Sequence, residues 1–438
     1  MMSLSPRRRE DVLDSLRRGT VPQQGLDVLA VGLDRFEAHF DEELVRVKGG
    51  GHGFKAIQGE YGSGKTFASR WLQERAKRAG FVTSEVQISE TETPLHRLET
   101  VYRRIIERLS TSTEQSGAFR SIIDQWFFTL EQDAEREGLT PGSKELELRV
   151  QILMDQRLTE VTQTSPVFAQ VLRAVRSASV NGDDDTARGL VAWLSGQPNI
   201  ASAIKRSADI KGEIDHFGAL SLLQGLLLVI RDCGLSGLVL VLDEVETLQR
   251  VRADVREKGL NALRALLDDI AVGRFPGLYL VLTGTPAFFT GSEGVMRLTP
   301  LAQRLQTDFM ENPQFDNPRA PRIRLRPFDF DSLFVLGTRV RDIFASGSKA
   351  GSRIGLRCDD SYVRALSIAI AGNFGNKASI SPRMYLKKLL DMLDRVEIYE
   401  DFDPRRDGAI VLANEDLTEE ERAAIGRSDV DDIEIQLP

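Results

Sequence analysis

Apolar positions along this chain repeat with two different periods, and the places where one period gives way to the other predict its elements. Over 10–18, Val12, Leu13 and Leu16 fall on one face of a helix. Arg17-Arg18-Gly19-Thr20-Val21-Pro22 stops that helix, because glycine and proline punctuate helical runs. Residues 26–32 follow, then an amphipathic helix over 33–47, and Gly49-Gly50-Gly51 turns the chain into a strand at 54–58. A helix is predicted over 66–78, closed by Gly80, and alternation over 81–88 predicts a second strand.

From about 94 to 235 the pattern is mostly helical, with helices over 98–109, 119–134, 143–158 and 217–231 and a polar break at 181–185. Connections within strand–helix units span only a few residues, so this stretch is expected to be an insertion between two strands of one sheet. Strand character returns at 237–242, 278–282 and 322–325. Between these runs lie a helix over 259–272 and another segment at 299–307, and a last helical region spans 331–397. The order predicts an α/β fold, a parallel sheet covered on both faces, with a long helical insertion (about 95–235) and a small helical lid domain. Four parts are expected: an N-terminal helical segment and linker (1–50), a core (51–327), the lid (328–398) and an acidic tail (399–438).

With 438 residues, 41% of them apolar and 28% charged, the chain can bury a sizeable core. No run of about 18 apolar residues predicts a membrane span. Arg7, Arg8 and Arg9 are not followed by an apolar stretch, so no secretory signal is expected and the cytoplasm is the expected compartment. Cys233 and Cys358 lie in or beside apolar runs and read as buried thiols; the four histidines show no metal-ligand spacing. The net charge of −8 argues against a chain basic throughout, though not against a local nucleic-acid surface. Its acid gathers at 415–421 and 429–434, which reads as a solvated tail.

The chemistry begins at Gly59-Glu60-Tyr61-Gly62-Ser63-Gly64-Lys65-Thr66, a full match to G-x-x-x-x-G-K-S/T, the Walker A pattern. A triphosphate needs several backbone N–H groups at a helix N-terminus, where the dipole is positive, and glycines let the backbone come that close. Lys65 is expected on the β- and γ-phosphates, the Thr66 hydroxyl on Mg²⁺, and Phe67 beside the bound nucleotide. A chance match in a chain of this length is on the order of one in a hundred. No Asn-Lys-x-Asp guanine-reading motif is present, which favours ATP.

The second half is Leu238-Val239-Leu240-Val241-Leu242-Asp243-Glu244, an apolar central strand ending in two carboxylates where ligands bind in open α/β sheets, a Walker B pattern. Asp243 is the expected Mg²⁺ residue and Glu244 the general base for the attacking water. Glu246 reads as a solvated helix-start residue. Leu278 to Leu282 form another buried strand, followed by Thr283-Gly284-Thr285; Thr283, ahead of Thr285, is a candidate for contact with the γ-phosphate or lytic water, or else simply caps the strand. Arg304 is a candidate arginine finger on a neighbouring subunit, with Arg297 as its alternative, and Arg383 could close over the γ-phosphate; a surface ion pair is the competing reading of each. Arg319 to Arg326 alternate as a strand with one cationic face, read as solvated arginines at a sheet edge or as contacts to nucleic-acid phosphates.

Together these motifs, with Leu16-Arg17-Arg18-Gly19-Thr20-Val21-Pro22, Val31-Gly32-Leu33-Asp34, Val101-Tyr102-Arg103 and Ser381-Pro382-Arg383, make the chain resemble AAA+ ATPases of the Orc/Cdc6-like, archaeal-ATPase branch. More narrowly, it resembles the ATP-binding proteins of BREX bacteriophage-exclusion loci, of BrxD type, over about 16–396. The resemblance implies a nucleotide held between the large domain and the lid, with 18–32 approaching the adenine. It also implies sensor roles for Thr283 and Arg383, an inter-subunit finger at Arg304, homo-oligomers, DNA, and partner proteins of a defence complex. The resulting expectation is an ATPase that hydrolyses Mg-ATP to switch or assemble a DNA-associated defence complex. Two alternatives stay open: a DNA loader of replication-initiator or transposition-targeting type, and a nucleotide-gated scaffold in which hydrolysis is incidental.

Overall fold

The computed structural model describes residues 4–374, 381–408, 410–412 and 433–435. In chain order the elements are α1 (Pro6–Arg17), α2 (Asp34–Lys48), β1 (Gly53–Gln58), α3 (Lys65–Arg78), β2 (Val82–Gln87), then seven helices: α4 (Leu98–Glu107), α5 (Phe119–Arg136), α6 (Lys144–Thr164), α7 (Pro166–Val180), α8 (Asp184–Leu194), α9 (Ser202–Ser207) and α10 (His216–Asp232). They continue with β3 (Leu238–Asp243), α11 (Ala253–Ala271), β4 (Leu278–Gly284), α12 (Pro286–Thr290), α13 (Thr299–Arg304), β5 (Arg322–Arg324), α14 (Phe330–Ala345), α15 (Gly351–Arg357), α16 (Asp360–Phe374), α17 (Pro382–Ile398), β6 (Ile410–Leu412) and β7 (Ile433–Ile435).

The parallel sheet is present, with five strands in the order β2-β3-β4-β1-β5. Every residue of β3 and of β4 is buried, which is why both strands read as unbroken apolar runs rather than alternations. The chain divides into two compact units, one of Met1–Phe40, Ile57–Glu74 and Asp308–Pro438, the other of Asp41–Ala56 and Arg75–Thr307.

The second unit holds the larger core, in which β2, β3 and β4 pack with the helices α4 to α10 that separate β2 from β3 in sequence. Those helices share that core: Leu130, Leu158, Leu172, Leu190 and Leu226 are fully buried in it. The Tyr102 hydroxyl donates to Leu194 O at 2.8 Å, tying α4 to α8. Arg176 of α7 bridges Glu131 of α5 and Glu147 of α6, at 2.6 Å to each. Deeper still, Lys55 of β1 is 1% exposed and meets Glu43 of α2 at 2.9 Å, while the Tyr279 hydroxyl of β4 donates to the other oxygen of that carboxylate.

In the first unit, Val12, Leu13 and Leu16 of α1 enter one core with Leu333, Leu336, Val340, Leu366, Leu389 and Leu393 from α14, α16 and α17. Arg17 fixes the pair of helices from outside, its Nε and Nη2 reaching the Asp394 carboxylate at 3.0 and 2.7 Å. β6 and β7 pair antiparallel. The acidic positions 415–421 and 429–432 of the tail lie outside the described residues.

Several boundaries differ from the sequence reading. Helix α1 starts at Pro6, because the Ser5 hydroxyl accepts the Arg8 N–H and a proline at the first helical position lacks the donor that would go unsatisfied. Helix α11 starts well ahead of Gly259, which is no start signal but a close-packing site: a Cβ there would lie 2.5 Å from Leu248 Cδ2. The arginines of β5 are buried or half-buried rather than fully solvated. Arg322 is 7% exposed with its guanidinium 5.2 Å from the Phe309 ring, and Arg324 lies 4.8 Å from the same ring and bonds Asp316 at 2.6 Å. A half-buried aromatic ring faces both guanidinium groups, and a buried carboxylate pairs with Arg324.

Candidate functional site

β1 ends at Gln58 and α3 begins at Lys65, leaving the glycine motif as the turn between them. Gly62 and Gly64 have φ of +76° and +88°, a left-handed region that side-chain-bearing residues rarely adopt. Gly59 is a glycine for a different reason: a Cβ there would lie 2.2 Å from Ser63 Oγ. The Ser63 hydroxyl is buried without a hydrogen-bond partner among the described residues. Lys65 folds back over the turn, its Nζ donating to Gly59 O at 2.9 Å and Glu60 O at 3.2 Å and standing 5.0 Å from the Tyr61 ring. An ammonium held on carbonyls at a helix N-terminus is an arrangement that a polyphosphate fits. Thr66 is half-buried in the first turn of α3, and Phe67 packs against the core of the first unit.

Helix α3 also grips the chain ahead of α2. The Glu74 carboxylate accepts the N–H of Gly25 at 3.0 Å and of Leu26 at 2.8 Å, and Arg70 Nη1 donates to Val21 O at 3.1 Å. Gly19, at φ +70°, is backed by Arg383 and Lys387 of α17: a Cβ there would meet their stems at 3.2 and 3.1 Å. Arg383 is half-buried in the first turn of α17.

In the second unit the acidic pair closes β3. Asp243 is 4% exposed, and its carboxylate accepts the hydroxyl proton of Thr283, itself fully buried on β4. The same hydroxyl accepts the N–H of Glu244 at 3.1 Å. Glu244 is in the left-handed region at φ +58°, ψ +45°, one of three such non-glycine residues in the described chain. Backbone strain of that kind persists only where surroundings over-determine it. The Glu244 side chain is half-buried, and its Oε2 accepts a hydrogen bond from Gln87 Nε2 at 2.8 Å. Glu246 is buried at 4% exposure, not solvated. Thr285 is buried as well.

Arg304, at the end of α13, is exposed and ion-paired to Asp268 of α11. Arg297 is exposed and pairs with Glu293 at 3.2 Å. No group of three or more His, Cys, Asp or Glu that could hold a metal exists among the described residues, so any divalent ion would rest on few protein ligands plus water and phosphate, the usual manner of Mg²⁺ with nucleotides. Among the described residues no helix is long and apolar enough to cross a membrane.

The family profile of the BREX system ATP-binding protein BrxC/D matches residues 4–410. The chain belongs to that family. No curated protein matches it at significant similarity. Among solved structures it is similar to a chain in the structure of Drosophila ORC bound to DNA, at 13% identity and a TM-score of 0.33, covering 90% of this chain and 63% of that one. The chain spans less than two thirds of the solved chain it matches.

Three side chains at these places were not singled out from sequence: Gln87, Glu74 and Arg70. For Gln87 the signal was weak: it ends β2 as Asp243 ends β3, and the two are paired in register, but β2 alternates and polar residues are common along it. For Glu74 and Arg70 none existed, because their partners are backbone groups about 49 residues away.

Proposed function

We propose that the chain binds Mg-ATP and hydrolyses it, and that the cycle switches or assembles a DNA-associated BREX defence complex. In this reading the backbone donors of 59–66 and the Lys65 ammonium hold the polyphosphate, and Phe67 lies beside the nucleotide. Thr66 and Asp243 are the residues that would hold the metal, which supplies charge neutralisation on the phosphates when bound. Residues 18–32 face the adenine. Glu244 accepts a proton from the attacking water. Thr283 keeps the Asp243 carboxylate and the Glu244 backbone in place, Arg383 contacts the nucleotide of its own subunit, and Arg304 is the candidate finger toward a second copy in a homo-oligomer.

The observation that carries the reading is Thr283 binding both halves of the acidic pair at once, with Glu244 held in a strained backbone. A purely structural pair of carboxylates has no need of that strain, whereas a water-activating base must be aimed. The acidic pair also stands at the C-terminal end of a buried parallel strand, where ligands of open α/β sheets bind, which supports the reading too. The test is phosphate release and nucleotide binding by wild type, Lys65→Ala and Glu244→Gln. Lys65→Ala should lose binding, and Glu244→Gln should bind ATP and turn over at least about a hundredfold more slowly. Turnover at the wild-type rate in Glu244→Gln would refute the assignment.

The Gln87 contact favours one rival enough to keep it in the test, because an amide that occupies the Glu244 carboxylate suits a protein that senses ATP and rarely hydrolyses it. Phage-restriction assays separate the two: a nucleotide-gated scaffold keeps restricting phage as Glu244→Gln and fails as Lys65→Ala.

A further inference from the structure

We infer that Glu74 is a positioning residue that shapes the nucleoside side of the ATP site, and so sets affinity for the adenosine part while leaving the phosphate part alone. This rests on the ATP-binding reading above and deepens it. The phosphate turn and the segment 19–26 are both fastened to one helix, α3, at different heights. Lys65 opens the helix; Arg70 and Glu74 lie five and nine residues further along, roughly 8 and 13 Å at the helical rise. In the ATP-binding reading the nucleoside lies against residues 18–32, the segment that those later turns hold.

That segment is held by unusual means. Gly25 and Leu26 are buried, and their two successive N–H groups both point to a single carboxylate, one on each oxygen, at 3.0 and 2.8 Å. Charge-assisted bonds of this sort are about twice as strong as neutral ones, and a bidentate pair fixes orientation as well as distance. Gly25 itself is at φ +76°, where its N–H can turn toward Glu74 and where a side chain would be strained. Four residues earlier, Arg70 fixes the carbonyl of Val21. Residues 21–26 are therefore anchored at both ends by charged side chains of the helix that starts at the phosphates, while the face of Gly19 lies on Arg383. Neither contact is needed to bury apolar surface: Leu26 already sits fully buried, and Glu74 is half-exposed. What the carboxylate adds is the precise setting of a short backbone stretch.

The experiment measures binding of ATP and of inorganic tripolyphosphate to the full chain by calorimetry, for wild type, Glu74→Ala, Glu74→Gln and Lys65→Ala, with melting temperatures alongside. Glu74→Ala should weaken ATP roughly tenfold or more and leave tripolyphosphate affinity unchanged. Glu74→Gln can accept only one of the two N–H groups and should fall between, which keeps the test sound should the alanine variant fold poorly. Lys65→Ala should lose both ligands. The inference is overturned if Glu74→Gln binds ATP as wild type does, or if its affinities for ATP and tripolyphosphate fall together. A wild-type chain that binds tripolyphosphate and ATP equally well overturns it too, whereas one that binds neither overturns the ATP-binding reading beneath it.

Discussion

The Thr283 hydroxyl donates its proton to the Asp243 carboxylate, across the register of two neighbouring parallel strands. With that proton committed, the oxygen is left as an acceptor, and it takes the N–H of Glu244 at 3.1 Å. One hydroxyl therefore orients the side chain of one acid and the backbone of the next.

Thr283→Val keeps the shape and removes the hydroxyl. It takes the Thr283 hydrogen bond away from a buried carboxylate and a half-buried amide, a loss of about 1–3 kcal/mol. Turnover should fall on the order of a hundredfold, the lower range of what an aimed base contributes, with ATP affinity unchanged. Steady-state phosphate release and nucleotide titration measure the two effects separately; a fall in affinity matching the fall in rate would contradict the role given to Thr283.

Gln87→Ala frees the Glu244 carboxylate from its 2.8 Å contact. A hydrogen bond to a charged group contributes roughly 1.5–3 kcal/mol, so the freed base should raise basal turnover by roughly ten- to a hundredfold if the contact restrains it. Phosphate release by the isolated chain checks this, and slower turnover would mean that Gln87 aims the base rather than restraining it.

Lys55→Met removes one partner of a largely buried ion pair and leaves the Glu43 carboxylate with the Tyr279 hydroxyl. Breaking such a pair costs about 3–5 kcal/mol. Urea unfolding should show a lower midpoint with unchanged slope, and an unaltered midpoint would show that the pair contributes nothing net.

Both cysteines should resist alkylation in the folded chain. Burial pushes the Cys233 thiol up to about 12, helped by nearby Asp232, and burial does the same for Cys358. A raised thiol pKa means less thiolate: at pH 8 roughly one part in ten thousand. Labelling should stay slow until pH approaches 12 and become fast in urea at pH 8, with mass spectrometry as the readout; rapid labelling of either cysteine in the native chain would be the contrary result.

The sheet was legible because central parallel strands are apolar on both faces, so 238–242 and 278–282 stand out against any background. The glycine turn was legible because its geometry admits few residues. Helices α7, α8 and α9 went unseen individually, since a bundle interior buries several faces at once and blurs the single stripe that marks an amphipathic helix. The arginines of β5 misled because alternation reports that one face differs from the other, not which face meets water; Phe309 and Asp316 decide that, and neither belongs to the strand. Contacts from side chain to distant backbone, such as Glu74 to Leu26, leave no periodic trace at all.

β2 and β3 are hydrogen-bonded neighbours, yet the chain leaves one and reaches the other only after seven helices. The exit is at Gln87, the residue bonded to Glu244, and the next amide, Ile88 N–H, is pinned to Asp243 O at 2.9 Å. Any displacement at the start of the helical excursion is therefore passed to the acidic pair through a single peptide link.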